Sequence, residues 1–327
     1  MFSSSSIIAS LTISYEQIFI YFGIPILIFG LIGNTLNIIV LMSLETFRQN
    51  SCAFYLTIMS IVNIAQLITG LLTRIMSGGY SIDWTQISLF YCKFRIYIFQ
   101  LTSFISFSCI SLATIDQYFA TCTRERWQQW CHIKIAYRLL ILISFILIIE
   151  QLPGLIFFDQ KKIVSAVGNT TICTVTDTYF IQFNNYFNYL ILGNLLPFIL
   201  TFFFGLMAYH NVQQLAYRTI PLVRRELDKQ LTVMVLTQLV YNFITLLPNL
   251  ILYLIVSYGN IQDLIIKAQL NVVNAITICL YYAYFAGPFY IYTCVSKRFR
   301  RQLFYVLFKM YKNIYREQRV GPDQTIS

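Results

Sequence analysis

Charge is scarce in this chain. Only 11% of its 327 residues are charged while 57% are hydrophobic, against the roughly one-quarter charged content of an ordinary soluble domain. Histidine is scarcer still: His132 and His210 stand near the ends of apolar runs, with no carboxylate pair and no Cys/His cluster beside them. The parts that acid–base catalysis or a metal centre needs are missing, so the expectation is no enzyme, no metal and no cofactor. No Lys or Arg precedes Arg48, so the beginning of the chain lacks the charged start of a cleavable signal peptide, and the first apolar run is expected to serve as an uncleaved targeting segment. Neither an internal repeat nor a separate soluble domain is visible.

What the chain has instead is long apolar runs. They fall near 18–44, 53–76, 88–121, 135–158, 180–210, 231–258 and 264–294, each long enough to cross a bilayer as a helix at 1.5 Å per residue. The fold class expected is an all-α membrane protein, a seven-transmembrane helix bundle forming one domain. The stretch 89–126 organises it. No charge lies between Arg95 and Asp116, yet Gln100, Thr102, Ser103, Ser106, Ser108 and Ser111 do; such side chains are poorly placed against lipid, so the third span belongs in the middle of the bundle.

Orientation follows from the basic residues. Most of the 23 lysines and arginines fall in alternate loops and after the last run: Arg48; Arg124, Arg126, Lys134 and Arg138; Arg218, Arg224, Arg225 and Lys229; and a cluster from Lys297 to Arg319. Positive-inside bias then puts the N-terminus outside and makes this a multi-pass plasma-membrane protein. It also accounts for the net charge of +10 without nucleic acid. Over 296–315 the apolar residues Phe299, Leu303, Val306, Leu307 and Met310 recur at helical spacing among Arg300, Arg301, Lys309 and Lys312. That pattern predicts an amphipathic helix lying on the anionic inner leaflet, followed by an inner tail at 316–327. No cysteine follows Cys294, so a palmitate on that helix is not expected. In this topology Cys92 and Cys173 are the cysteines on the oxidising side, a candidate disulfide pinning the loop after the fourth span, with two free thiols as the alternative. Asn169-Thr170-Thr171 forms a glycosylation sequon in the same loop.

Several motifs stand in a characteristic order: Gly33-Asn34 in the first run, Trp84 ahead of Cys92, Ser106 and Asp116-Gln117-Tyr118 in the third, and Pro153, Pro197 and Pro248 in the fourth to sixth. Pro288-Phe289-Tyr290-Ile291-Tyr292 followed by Phe299 closes the series. Over nearly its whole length the chain resembles the rhodopsin-like class of G-protein-coupled receptors. The resemblance implies an extracellular ligand, a heterotrimeric G protein as partner, and a switch at the inner end of the third span. It also shows departures. Gln117 replaces the arginine of the family's Asp-Arg-Tyr, Asn63 stands in place of the second-span aspartate, Leu246 in place of a sixth-span tryptophan, and Gly205 near a fifth-span tyrosine. Without the aspartate, a buried sodium site loses its main charge. In the seventh span the asparagine of the motif is missing, and its tyrosine is Tyr292 if counted from Phe299 but Ile291 if counted from Pro288; the spacing to Phe299 favours Tyr292. The residues implied in activation and G-protein contact are Asp116, Gln117, Tyr118, Arg124, Arg126, Arg224, Arg225, Pro248, Pro288 and Tyr292. Gln117 weakens the charge pair that holds the resting state, and the nearby arginines would supply part of the lost positive potential.

Polar side chains in the outer half of the bundle are the candidate ligand contacts: Phe99, Gln100, Ser103, Asn185, Asn188, Asn249, Gln269, Asn271 and Tyr282. Interhelical hydrogen bonding is the plain alternative for each. Phe99 stands where the family's amine receptors carry an aspartate, and no lysine lies mid-way along the seventh span, so a cationic amine and retinal are both disfavoured. A peptide or other extracellular ligand remains. Two other readings stand beside this one. A seven-helix transporter or channel would carry ionisable groups along a midplane path, whereas the acids and bases here, Glu150 included, cluster at span ends. The second is a receptor fold that couples to no G protein, on account of Gln117. The sequon yields a direct expectation: glycosidase treatment of the protein from native membranes should sharpen and lower its gel band, as should Asn169→Gln. An unchanged mobility would show Asn169 unmodified.

Overall fold

The computed structural model describes residues 4–43, 48–122, 124–165, 168–214, 222–259 and 261–319. Among them, seven helices are long and apolar enough to cross a membrane: α1 (Ser6–Ser43), α2 (Ser51–Gly79), α3 (Leu89–Thr121), α4 (Ile133–Phe157), α5 (Thr178–Gln213), α6 (Leu222–Tyr258) and α7 (Leu264–Ala286). Their starts carry the polar caps that free N–H groups require. Asn50 accepts from Ala53 N, Ser88 from Tyr91 N, Asp177 from Phe180 N, and Asp263 from Ile265 N. The third span is central as expected, with α2, α4, α5 and α6 all packed against α3. Large apolar side chains such as Ile141, Phe145 and Ile149 on α4 stay exposed, the outward face of a helix whose surroundings are lipid.

Two apolar clusters stack along the bundle. One holds Leu67, Leu71, Phe104, Phe107, Leu246 and Phe285; the other, at the opposite end, holds Leu56, Met59, Ile110, Val235, Tyr292 and Phe299. Buried carboxamides sit with them. Asn37 Nδ2 donates to Ser60 Oγ (2.7 Å), and Asn63 Oδ1 accepts from Ser106 Oγ (2.7 Å), linking α1, α2 and α3.

Several boundaries differ from those read off hydropathy, each for a local reason. The first helix is already formed at Ser6, not at residue 18, because its hydroxyls need no water: Ser10, Thr12 and Ser14 donate to the carbonyls of Ile7, Ile8 and Ser10. The sixth helix starts at Leu222, ahead of residue 231, and the second runs on to Gly79. The seventh run is not one helix to residue 294. It breaks at Gly287 and resumes as α8 (Pro288–Val295), since Pro288 has no N–H to continue the ladder. Gly287 also admits the Tyr241 ring, to which a Cβ would come within 2.5 Å. The amphipathic segment forms α9 (Lys297–Arg319); residues 320–327 of the expected tail lie outside the described residues. Glu150, counted with the span-end charges, stands about two turns inside α4.

The loop after α4 is a two-stranded antiparallel hairpin, β1 (Phe158–Ser165) and β2 (Gly168–Val175), where hydropathy shows only a loop. An isolated hairpin is marginal in water. Here Cys173 is bonded to Cys92 at the start of α3, with the Cα atoms 5.8 Å apart, and Gln160, paired opposite Cys173, donates from Nε2 to Thr85 O (2.6 Å). Asn169 lies on β2 opposite Val164. Because the cross-link closes a loop of 81 residues, Cys92→Ser should cost about 2–4 kcal/mol of stability. The measurable results are a lowered melting temperature in detergent and less protein at the cell surface; a variant matching wild type in both would refute the structural role.

Candidate functional site

At the disulfide end of the bundle a cavity of about 710 Å³ opens between α2, α3, α5, α6 and α7, within the size range of ligand pockets. Its special lining on α5 has a local cause. Pro197 cannot donate a backbone hydrogen bond, and ahead of it Asn184–Leu195 winds as a π-helix, in which Leu196 N reaches back to Ile191 O. Asn194 adds its own side chain, with Nδ2 donating to Tyr189 O (2.7 Å). The wider turn brings Asn184, Asn185, Tyr189, Gly193 and Asn194 to the cavity wall together. On the facing side, Gly70 lets α2 come close. A Cβ there would stand 2.7 Å from the Tyr282 hydroxyl and 3.0 Å from the Phe99 ring.

The wall is polar and largely self-paired. Gln100 Nε2 donates to Asn184 Oδ1 (2.8 Å), Tyr189 OH to Asn249 Oδ1 (2.7 Å), and Ser103 Oγ lies 3.1 Å from Tyr281 OH. Tyr189 also packs on Tyr253 at 4.1 Å between ring centroids. Of the residues singled out from sequence, Phe99, Gln100, Ser103, Asn185, Asn249, Asn271 and Tyr282 line the cavity. Two do not. Asn188 turns to α4, where its side chain meets Glu150, and Gln269 is exposed on the outward face of α7, off the arc of Lys267, Leu270, Asn271 and Asn274. Sequence reasoning passed over Arg74, Asn184, Asn194, Asn274 and Lys267. Only the carboxamide density of α5 and α7 pointed to some of them.

The opposite end carries the motif residues. Asp116 Oδ1 accepts from Ser51 Oγ on α2 (2.6 Å), and Gln117 Oε1 accepts from Thr232 Oγ1 on α6 (2.9 Å). A neutral α3–α6 hydrogen bond thus stands at the position where the resemblance implies a cation. Gln117 Nε2 has no protein partner among the described residues. Tyr118 packs against Phe204 of α5 at 5.5 Å. Tyr292 is fully buried, donates to Gln238 Oε1 on α6, and meets the Phe299 ring edge-on at 5.9 Å. Tyr292, rather than the half-buried Ile291, is therefore the seventh-run tyrosine that enters the bundle. Arg124 and Arg126 are exposed just past α3, and Pro248 lies inside α6. Arg224 and Arg225 belong to the first turn of α6, with side chains outside the described residues. Among the described residues no group of three or more His, Cys, Asp or Glu gathers as metal ligands would.

Between the two ends runs the α7 break. Asn34 Nδ2 donates to Phe285 O (2.9 Å) and Tyr241 OH to Ala283 O (2.8 Å), so side chains of α1 and α6 serve carbonyls next to the proline. Tyr284, one residue before Phe285, lies 3.4 Å from Ser106 Oγ. The helix that lines the cavity with Tyr281 and Tyr282 is therefore bonded, within a turn, to the carboxamide core.

No curated protein sequence matches the chain. The family model described as 7 transmembrane receptor (rhodopsin family) matches residues 33–286, from the Gly33-Asn34 pair to the last residue of α7 and so through every spanning helix. With its disulfide-tied third helix, its proline-broken seventh and the cavity between them, this chain belongs to the rhodopsin family of seven-transmembrane receptors.

Proposed function

We propose that this receptor sits in the plasma membrane with its N-terminus and disulfide end outside, takes an extracellular ligand into the cavity, and signals to a heterotrimeric G protein at the opposite end. The observation that carries the reading is the cavity itself, a concave site lined by Asn, Gln and Tyr side chains at membrane depth, where polar groups call for a function. Orientation has two independent supports. A disulfide belongs on the oxidising side of the membrane, and the basic residues cluster at the other end. Carboxamides both donate and accept, as peptide amides do, which favours a peptide as ligand.

Signalling requires two states that a ligand biases by binding one of them better. The bonds Gln117–Thr232 and Tyr292–Gln238 tie α6 to α3 and α8; opening the far end for a G protein breaks such ties. Both are neutral, so the resting clasp is weaker than a charge pair, and the opened state offers an amide rather than a guanidinium to the partner. Coupling is accordingly weak, helped by Arg124 and Arg126.

A ligand screen read by G-protein activation tests the function as a whole. Within it, Thr232→Val should raise the ligand-independent signal a few-fold, because the Gln117 carbonyl loses its α6 donor at a cost of about 1–3 kcal/mol to the closed state. Gln117→Arg, at matched surface expression, should increase the agonist-stimulated signal. No gain alongside robust wild-type coupling would show that the switch does not use this position, and no signal from either would favour a receptor that couples to no G protein.

A further inference from the structure

The charges around the cavity do not balance. Arg74 and Lys267 line it, and no aspartate or glutamate does. Behind Arg74 stands a second guanidinium, Arg95, bonded from Nε to Thr69 O (3.3 Å) and near enough to Arg74 for the two to repel. Both face the Tyr282 hydroxyl, with Arg74 in hydrogen-bond contact with it. Arg74 and Lys267 stand exposed at the cavity mouth while Arg95 is half-buried behind them, and like charges this close favour a group of opposite sign joining them.

Most of the acids at this end cap helices or turns, and Asp83 also attracts Arg95. Asp83 takes Thr85 N and Thr85 Oγ1 (2.9 and 2.6 Å) to cap the turn Trp84–Ile87. Asp177 caps α5 through Phe180 N, Asp263 caps α7 through Ile265 N, and Asp159 accepts from Gln160 N within the hairpin. Glu150 faces Asn188 and Gln151 on the α4 side and is not part of the cavity wall. Among the described residues no carboxylate forms an ion pair with Arg74 or Lys267. Two exposed cations at the mouth of a concave site focus a positive potential on whatever enters.

We infer that the ligand of this receptor carries a carboxylate, and that Arg74, with Lys267 on the facing helix, selects for it. The inference rests on the cavity being the ligand site. A guanidinium can hold a carboxylate through two parallel N–H···O bonds, which suits it to this role better than an ammonium. The carboxamide wall formed by Asn184, Asn185, Asn249 and Asn271 would meet the amides of the same molecule. A peptide's C-terminus and an acidic side chain both offer such a carboxylate; the chemistry at Arg74 is the same.

The test uses the purified full chain in nanodiscs of zwitterionic lipid and pools of N-acetylated tetrapeptides, with retained peptides counted by mass spectrometry. One pool has free C-terminal carboxylates and no Asp or Glu. A second is C-terminally amidated but contains Asp and Glu, and a third is amidated and lacks both. Wild type should retain at least one acidic pool about tenfold better than the neutral one, and the pool that wins identifies the source of the carboxylate. Arg74→Gln should bring the ratio to near one without lowering the melting temperature of the unliganded protein, because it relieves the repulsion with Arg95. Arg74→Lys should keep part of the preference, Lys267→Gln should reduce it, and Lys161→Gln, on the exposed hairpin strand, should leave it unchanged. Equal retention of acidic and neutral pools by wild type would overturn the inference while leaving the cavity as ligand site. Retention of no pool would overturn both.

Discussion

A bilayer offers no water to a polar group that lacks a partner, and this bundle is arranged around that constraint. The seventh helix shows it most directly. Pro288 interrupts the backbone ladder, and in the turn before it the carbonyls of Phe285 and Ala283 accept from Asn34 of α1 and Tyr241 of α6. The same requirement joins Asn37 to Ser60 and Asn63 to Ser106. Apolar packing alone gives little preference for helix over lipid, so these bonds and the close contacts at Gly70 and Gly287 decide which faces meet. The proline is tolerated because its neighbours are in place, and its neighbours are held in place partly by the proline.

One consequence is that the cavity end and the motif end share an element. Tyr281 and Tyr282 line the cavity, Tyr284 approaches Ser106 in the core, and beyond the break Tyr292 donates to Gln238 of α6. A helix interrupted at Gly287 can hinge there, so a contact at the cavity wall can bias the far end without passing through a stiff rod. At the far end α6 is held by hydrogen bonds between neutral groups. Asp116 is engaged with Ser51 rather than with its neighbour Gln117, whose partner is Thr232. Asp116 and Gln117 thereby link α3 to α2 and to α6 separately.

Electrostatics separate the two ends in a second way. At the disulfide end the carboxylates work as helix caps and hairpin acceptors, where they satisfy orphan N–H groups and complement the helix dipole. None of them lines the cavity, whose wall carries Arg74 and Lys267. At the opposite end, Arg124 and Arg126 are exposed to solvent, where their charge costs little and is screened.

Length and composition determined by themselves that the chain crosses a membrane seven times, because a run of some twenty apolar residues has few other stable environments. The order of Gly33-Asn34, Cys92, Asp116 and the helix prolines determined the family resemblance, and Cys92 with Cys173 the cross-link. Boundaries were less legible. Hydropathy averages over a window, so it missed hydroxyls that bond back to their own helix at Ser10 and Ser14 and the single-residue break at Gly287. The facing of side chains was decided by tertiary structure alone. Asn185 and Asn188 look equivalent in sequence, yet the π-winding ahead of Pro197 sends one to the cavity and the other to Glu150. In the sequence Arg74 and Lys267 stand only as charges near span ends. They share one cavity because α2 and α7 run antiparallel through the same wall, an adjacency that depends on how seven helices pack and is carried by no local pattern in the chain.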